Sequence, residues 1–351
     1  MKVLTVIGAR PQIIKAAAVS NKLRKKHKEV LVHTGQHYDE NMSNVFFEQM
    51  NVPKPEINLH IGSGCHGEQT GRMMAELEKI CINEKPDFVM VYGDTNSTLA
   101  GTLAASKLHI PVAHVEAGLR SFNKKMPEEQ NRIVADHLST LLFAPTKSAA
   151  DNLAKENIIS GVHIVGDVMF DVTLSFSKLI NEQEMTKRLQ ISRPYLLATV
   201  HRAENTDDSA RLGNIVEALN QASLPIVLPL HPRTKKYMEK FELSFSSNVH
   251  VIEPVGYLEM LFLEKHAEKI LTDSGGVQKE AFFLDKPCIT LRNETEWCDT
   301  VETGWNTLVG CDVNKILDAI DNFTPVGSAP RLYGSGDAAD IIIETLVKTK
   351  Y

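Results

Sequence analysis

The sequence predicts an α/β protein built from two doubly wound, Rossmann-like halves that face a central cleft. Three observations carry this prediction. Short apolar runs alternate with longer segments of helical period along the whole chain, the pattern of βαβ units whose parallel strands are covered on both faces. The alternation falls into two comparable halves, and 351 residues suffice for two cores. Most residues able to do chemistry directly follow an apolar run, and ligands bind at strand C-termini in such sheets.

In the first half, strands are expected at Val3–Ile7, Val30–His33, Phe88–Tyr92, Val112–Val115, Leu142–Ala144 and His163–Val165. Helical periods cover Gln12–Arg24, Gly67–Ile82, Ser97–Lys107, Glu128–His137 and Ser148–Lys155. In the second half, strands are expected at Tyr195–Val200, Ile226–Leu230, Val249–Ile252, Ile270–Thr272, Cys288–Leu291 and Thr307–Val309, with helices at Ser209–Gln221 and Val277–Leu284. A polar stretch from Asn181 to Arg188, ahead of Pro194, reads as the link between halves. The expected division is a first domain over 1–185 and a second over 186–335. A last helix within 336–351 is expected to return to the first domain.

Composition removes several classes. A hydrophobic content of 43% with 23% charged residues is that of an ordinary globular protein. The net charge of −6 offers no basic excess to offset a nucleic acid or an acidic membrane surface. The five cysteines form no CxxC pair, so neither a zinc site nor a disulfide framework is expected. No apolar run is long enough to span a bilayer, and the opening Met1–Gly8 reads as a strand, so a cytoplasmic location is expected.

Asp273-Ser274-Gly275-Gly276 is the most informative stretch. It lies between the Ile270-Leu271-Thr272 run and a helical segment, so it reads as a strand–turn–helix junction. Such a turn leaves backbone N–H groups unpaired at the positive end of a helix and can hold a phosphate. Glu280, about one turn into that helix, is placed to meet the hydroxyls of an attached ribose. A bare Ser-Gly-Gly also occurs in ligand-free turns, so the remaining strand ends decide its meaning.

In the first half these ends carry carboxylates. Gly8-Ala9-Arg10-Pro11 follows the first strand, with Pro11 suited to a first helical turn and Arg10, with Lys15 nearby, suited to an anion. Asp94 follows Phe88–Tyr92, and Glu116 follows Val112–Val115. Glu128 opens a helix after Pro127, with Arg132 four residues on. Asp94 as a helix cap and Glu128 as a dipole partner are the plainer readings. Together with Glu116 they place three carboxylates on neighbouring loops, where mutual repulsion would supply an acid and a base.

The second half answers with donors. His201-Arg202, His231-Pro232-Arg233 and Arg292 each follow a strand. Imidazole and guanidinium groups both donate to diphosphate oxygens. No His-x₃-His spacing or carboxylate cluster accompanies the two histidines in the same half, so no metal is expected. Gly8-Ala9-Arg10-Pro11 after the first strand does not supply the GxGxxG of a dinucleotide site, and the chain lacks GxxxxGK[ST], which argues against a dinucleotide cofactor and against ATP hydrolysis. The residues fit an enzyme that grips a nucleotide diphosphate with one half and presents carboxylates to the attached group with the other.

Beyond these residue-level readings, the chain resembles the non-hydrolysing UDP-N-acetylglucosamine 2-epimerases over nearly its whole length. The resemblance is carried by Gly8-Ala9-Arg10-Pro11 with Lys15, by Gly93-Asp94-Thr95, by His114-Val115-Glu116-Ala117-Gly118-Leu119-Arg120 and by Pro127-Glu128-Glu129-Gln130-Asn131-Arg132. It continues through His201-Arg202 and the run Thr272 to Glu280. It implies a GT-B fold, a homodimer, no cofactor, and elimination of UDP to a 2-acetamidoglucal followed by re-addition. By this resemblance Asp94, Glu116 and Glu128 handle the C2 proton and His201 assists the departing diphosphate. Arg10, Lys15, His231, Ser274, Gly275, Gly276 and Arg292 hold phosphate charge, Glu280 binds ribose, and Arg132 joins the substrate-binding set.

The chain departs from the common pattern in places. Gln36-His37-Tyr38 replaces Gln-His-Arg, and His201-Arg202-Ala203-Glu204 replaces His-Arg-Arg-Glu. Some bacterial members hold a second, activating substrate there, and the missing arginines weaken that expectation. The short basic loop Ser121-Phe122-Asn123-Lys124-Lys125-Met126, with Glu294-Thr295-Glu296-Trp297, is similar to the branch acting on UDP-2,3-diacetamido-2,3-dideoxyglucuronate. In that reading Lys124 or Lys125 meets a sugar carboxylate. A hydrolysing epimerase, a GT-B glycosyltransferase and a non-catalytic UDP-sugar sensor are the competing functions.

Overall fold

A computed structural model of the chain describes residues 1–36 and 53–349. His37 and Tyr38, singled out above, lie outside the described residues. Two units partition the chain, one of Met1–Leu174 with Arg331–Tyr351 and one of Ser175–Pro330.

The first unit runs β1 (Lys2–Ile7), α1 (Arg10–Leu23), β2 (Lys28–His33), β3 (Ile57–Asn58), α2 (His66–Glu84), β4 (Phe88–Tyr92) and α3 (Asn96–Lys107). It continues with β5 (Val112–Val115), α4 (Pro127–Leu138), β6 (Leu141–Ala144), α5 (Lys147–Lys155), β7 (Val162–Ile164) and α6 (Val168–Ser177), whose residues from Ser175 on fall in the second unit. Its described strands form one parallel sheet in the order β3-β2-β1-β4-β5-β6-β7. Strand residues alternate between faces. Leu4, Val6, Val30, Val32, Val89, Val91 and Val112 pack on Met73, Leu77 and Cys81 of α2 and on Ala100 and Ala104 of α3. Small residues on α3 let it approach the sheet closely. The order doubles back beside β1, so neighbouring strands lead into loops at the same sheet edge.

The second unit runs α7 (Glu182–Leu189), β8 (Leu196–Thr199), α8 (Ala203–Thr206), α9 (Ser209–Asn220), β9 (Ile226–Pro229), α10 (Pro232–Lys240), β10 (Val249–Ile252) and α11 (Tyr257–His266). It ends with β11 (Ile270–Thr272), α12 (Gly275–Phe283), β12 (Cys288–Thr290), α13 (Cys298–Glu302), β13 (Asn306–Leu308) and α14 (Val313–Asn322). Its parallel sheet has the order β10-β9-β8-β11-β12-β13. Leu196, Ala198, Leu228, Leu271 and Ile289 pack on α9 and α14. Leu197, Val227, Ile270 and Cys288 face α11 and α12.

The polar stretch read as a link is the helix α7. Asn181 caps it by accepting from the Glu184 N–H at 3.2 Å. Glu182 and Glu184 open it, Lys187 and Arg188 close it, and Met185 is buried. A division after residue 185 would cut through this helix, all of which belongs to the second unit. The last helix, α15 (Ala338–Lys348), belongs to the first unit. Its first N–H groups, from Ala338 and Ala339, donate to the Asp171 carboxylate at 3.2 and 2.9 Å. Lys22 of α1 meets Asp340 at 2.7 Å.

Candidate functional site

In the first unit the site begins at the ends of β1, β4 and β5. Gln12 sets the first loop. Its Oε1 accepts from the N–H groups of Gly8 and Ala9 at 2.8 and 3.1 Å, and its Nε2 donates to the Tyr92 carbonyl at 2.8 Å. Gly8 is required here, because a Cβ would collide with the hydroxyls of Ser97 and Thr34. Arg10 opens α1, and its side chain lies outside the described residues.

Tyr92 and Val115 are register partners, so Asp94 and Glu116 leave adjacent strands at the same level. Each has its own cation. Arg132, 2% exposed, donates from Nη1 to Asp94 Oδ2 at 2.5 Å. Lys15 donates from Nζ to Glu116 Oε2. The sequence set Lys15 beside Arg10 for phosphate. The fold brings its ammonium across 101 residues of chain to the Glu116 carboxylate. Attraction to a neighbouring cation thus accompanies the mutual repulsion expected among the acids. Glu116 is buried and has a φ of +74°, a conformation that a non-glycine residue keeps only where its surroundings impose it. Glu128 is half-buried in the first turn of α4.

Sequence reasoning gave Glu129 no role, yet it anchors this region. It is 1% exposed and accepts from the N–H groups of Ser121 and Phe122, both at 2.9 Å, and from Arg132 Nη2, also at 2.9 Å. Burial alone would raise its pKa. The Ser121 N–H, the Arg132 guanidinium and the Phe122 N–H outweigh burial and hold it below the usual carboxylate range. Glu129 therefore fixes the 121–126 loop, and through Arg132 it fixes Asp94. Lys124 and Lys125 on that loop are exposed.

In the second unit, register aligns Thr199, Thr272 and Thr290, so His201, Asp273 and Arg292 follow the ends of neighbouring strands β8, β11 and β12. Asp273 is fully buried. Its Oδ2 accepts from the N–H groups of His201 and Arg202, both at 3.0 Å, and from Asn205 Nδ2 at 3.1 Å. The acid of the Asp-Ser-Gly-Gly run thus holds the His201 loop, a role hidden in sequence because its partners lie 68 to 72 residues away. The rings of His201 and His231 lie with centroids 5.2 Å apart, tilted by 31°. His231 caps α10 by accepting the Arg233 N–H at Nδ1, which leaves Nε2 to carry a hydrogen. Arg233 itself turns to Asp207 at 2.5 Å.

Ser274 is the N-cap of α12, and the first intrahelical bond runs from the Gln278 N–H to the Ser274 carbonyl. The N–H groups of Gly275, Gly276 and Val277 precede that bond, at the positive end of the helix. Gly275 is fixed by space: a Cβ would lie 2.5 Å from Glu296 Oε1 and 3.2 Å from Trp297 Nε1. Arg292 is buried and donates to Glu296 at 3.1 Å. Lys279, also buried, lies 4.1 Å from the centre of the Trp297 ring. Glu280 sits on the buried side of α12. Chemically, one unit offers acids paired with cations at a strand edge. The other offers a helix N-terminus, two histidines and an arginine, a set suited to phosphate oxygens.

Among the described residues, no helix is long and apolar enough to cross a membrane. Comparison with known proteins agrees with the motifs. The family described as UDP-N-acetylglucosamine 2-epimerase matches residues 21–347. A UDP-N-acetylglucosamine 2-epimerase homolog of Methanococcus maripaludis is 53% identical, covering 99% of each chain. The UDP-2,3-diacetamido-2,3-dideoxy-D-glucuronate 2-epimerase of Pseudomonas aeruginosa is 51% identical, over 99% of this chain and 100% of its own. The structure of Methanocaldococcus jannaschii UDP-GlcNAc 2-epimerase in complex with UDP-GlcNAc and UDP superposes with a TM-score of 0.93 at 46% identity, over 99% of this chain and 100% of that one. The two parallel α/β units are those of the GT-B fold, and the chain belongs to the UDP-N-acetylglucosamine 2-epimerase family.

Proposed function

We propose that the protein interconverts UDP-N-acetylglucosamine and UDP-N-acetylmannosamine, or the corresponding epimers of a modified sugar, without releasing free sugar. The hydrogen at C2 has no adjacent carbonyl to acidify it, so direct removal and return is difficult. Elimination avoids this. A base takes the C2 proton, the C–H pair becomes the C1=C2 double bond of a 2-acetamidoglucal, and UDP leaves C1 with the C–O pair. Re-addition of UDP at C1 and of a proton at C2 from the other face completes the epimerisation. Atoms and electrons balance with no redox cofactor.

One observation carries the reading most directly. Asp94 and Glu116 stand at the ends of adjacent strands, each against a buried or half-buried cation. In this proposal they share the two proton transfers at C2 with Glu128. Lys15 and Arg132 orient the first two. His201, His231, Arg292 and the Ser274-Gly275-Gly276 turn hold the diphosphate as charge develops on it, and Arg10 helps to offset that charge. Glu280 takes the ribose. Homodimerisation is carried over from the family, and a cytoplasmic location from the sequence expectation.

The test is NMR of a UDP-sugar in D₂O with the protein and no acceptor. The epimer is expected to appear with deuterium at C2. A glycosyltransferase leaves the sugar unchanged, a hydrolysing enzyme yields free N-acetylmannosamine and UDP, and a sensor only binds.

The diacetamido-glucuronate 2-epimerase of Pseudomonas aeruginosa is 51% identical, beside 53% for the Methanococcus maripaludis homolog, and the exposed Lys124-Lys125 pair offers charge to a sugar carboxylate. This second reading predicts faster turnover of the uronate than of UDP-N-acetylglucosamine, with the preference reduced in Lys125→Ala. Equal use of both sugars by both proteins rejects it.

A further inference from the structure

His114 lies in β5, two residues before Glu116, and is fully buried. Its Nε2 is 2.7 Å from the Gly93 carbonyl and its Nδ1 is 2.7 Å from Asp136 Oδ1. A carbonyl oxygen only accepts, so Nε2 carries a hydrogen and donates it. Asp136 is also fully occupied as an acceptor. Its Oδ2 takes the Gly118 N–H at 3.1 Å and Arg120 Nη1 at 2.7 Å. With Asp136 accepting on both oxygens, Nδ1 donates too, an assignment made from the partners. Arg120 then reaches Glu156 with Nε and Nη2 at 2.7 and 2.8 Å.

These bonds tie two loops to one helix. Gly93 immediately precedes Asp94, and Gly118 follows Glu116 by two residues. Asp136 is on α4, the helix that also carries Glu128 and Arg132. Gly93, Glu116 and Gly118 all have positive φ, at +61°, +74° and +83°. Backbone of this kind holds a fixed course only where its surroundings over-determine it, most of all at the glutamate.

We infer that His114 is a positioning residue which, with Asp136, clamps the peptide before Asp94 and the loop after Glu116 and so fixes the two carboxylates relative to each other. It acts through those groups and takes no proton from substrate. The inference rests on the proposed chemistry at C2.

Two amide substitutions separate the two bonds. His114→Asn matches the Nδ1 position and keeps the Asp136 contact while dropping Gly93. His114→Gln matches Nε2 and keeps Gly93. The measurement is the rate of C2 deuterium exchange and epimerisation, in the wild-type background and in Asp94→Asn, with UDP titration calorimetry alongside. His114→Asn is expected to lower kcat about 10- to 100-fold, with KM and UDP affinity within about twofold, since misplacement of a reacting group by up to about 1 Å costs up to about 100-fold. His114→Gln is expected to recover most of the loss. In the Asp94→Asn background the further loss from His114→Asn is expected to stay under about threefold, because residues acting as a unit are not additive.

The same loss in both backgrounds, or an unchanged kcat in His114→Asn, overturns the inference. If His114→Asn does not fold, Asp136→Asn in the same two backgrounds carries the comparison. Failure of the unmodified protein to exchange C2 overturns the proposed function instead, so the two failures are distinct.

Discussion

Removing the Asp273 carboxylate is the sharpest perturbation of the second unit. The carboxylate is fully buried and satisfies the N–H groups of His201 and Arg202 at 3.0 Å and the amide of Asn205 at 3.1 Å. Each buried donor left without an acceptor costs about 1–3 kcal/mol. Asp273→Ala strands three donors, and the loop can escape part of that cost by moving into water. A loss of about 3–5 kcal/mol in folding stability is expected. Asp273→Asn keeps one accepting oxygen and is expected to lose about 1–2 kcal/mol. Because the loop carries His201, its disorder must be reversed on binding. If about 1.4–2.8 kcal/mol of that ordering falls on the ligand, UDP affinity drops about 10- to 100-fold in the Ala variant. Urea unfolding gives the stability and titration calorimetry with UDP gives the affinity. An Asp273→Ala protein with the wild-type urea midpoint and the wild-type UDP affinity would refute the claim that this acid holds the loop.

Space around the glycine turn gives a second expectation. Gly275→Ala pushes a methyl to 2.5 Å from Glu296 and disturbs its bond to Arg292. Overpacking of this kind costs about 1–3 kcal/mol, so a lower melting temperature and about tenfold weaker UDP binding are expected. Gly276→Ala, whose methyl would meet only Ser274 Oγ at 3.8 Å, is expected to keep the melting temperature. The Glu129 carboxyl gives a third, pH-dependent one. Its folded pKa lies below the ordinary 4.5, so its stabilisation is complete above that value and is lost as pH falls through the folded pKa. The urea midpoint should therefore fall below about pH 4.5, and Glu129→Gln should be weaker at pH 7 and show a shallower fall in acid. Arg132→Met removes the cation from both Glu129 and Asp94, a loss of about 3–5 kcal/mol by the cost of breaking a buried ion pair; the same urea series measures it.

Strand ends were legible in the sequence because a buried parallel strand is a short apolar run, and the residue that stops the run marks its C-terminus. Phe88–Tyr92 followed by Gly93-Asp94 and Val112–Val115 followed by Glu116 are found in the structure at those bounds. The glycine turn was legible from its composition. Residues that act through distant partners were not. The contacts of Asp136 with His114, Gly118 and Arg120 and of Lys15 with Glu116 are examples, because those partners are brought together by the fold and not by spacing. Helix α7 was missed because its composition is polar throughout. Its cap residue Asn181, its acidic first turn and its basic last turn were the available signals.

The direct test of the account is C2 exchange by Glu116→Gln measured beside UDP binding by the same protein. Glutamine keeps the size of the side chain and removes its capacity to take a proton. The account predicts that exchange in D₂O slows by about 100- to 10,000-fold while UDP affinity stays within about threefold of wild type. Exchange at the wild-type rate in Glu116→Gln would contradict it.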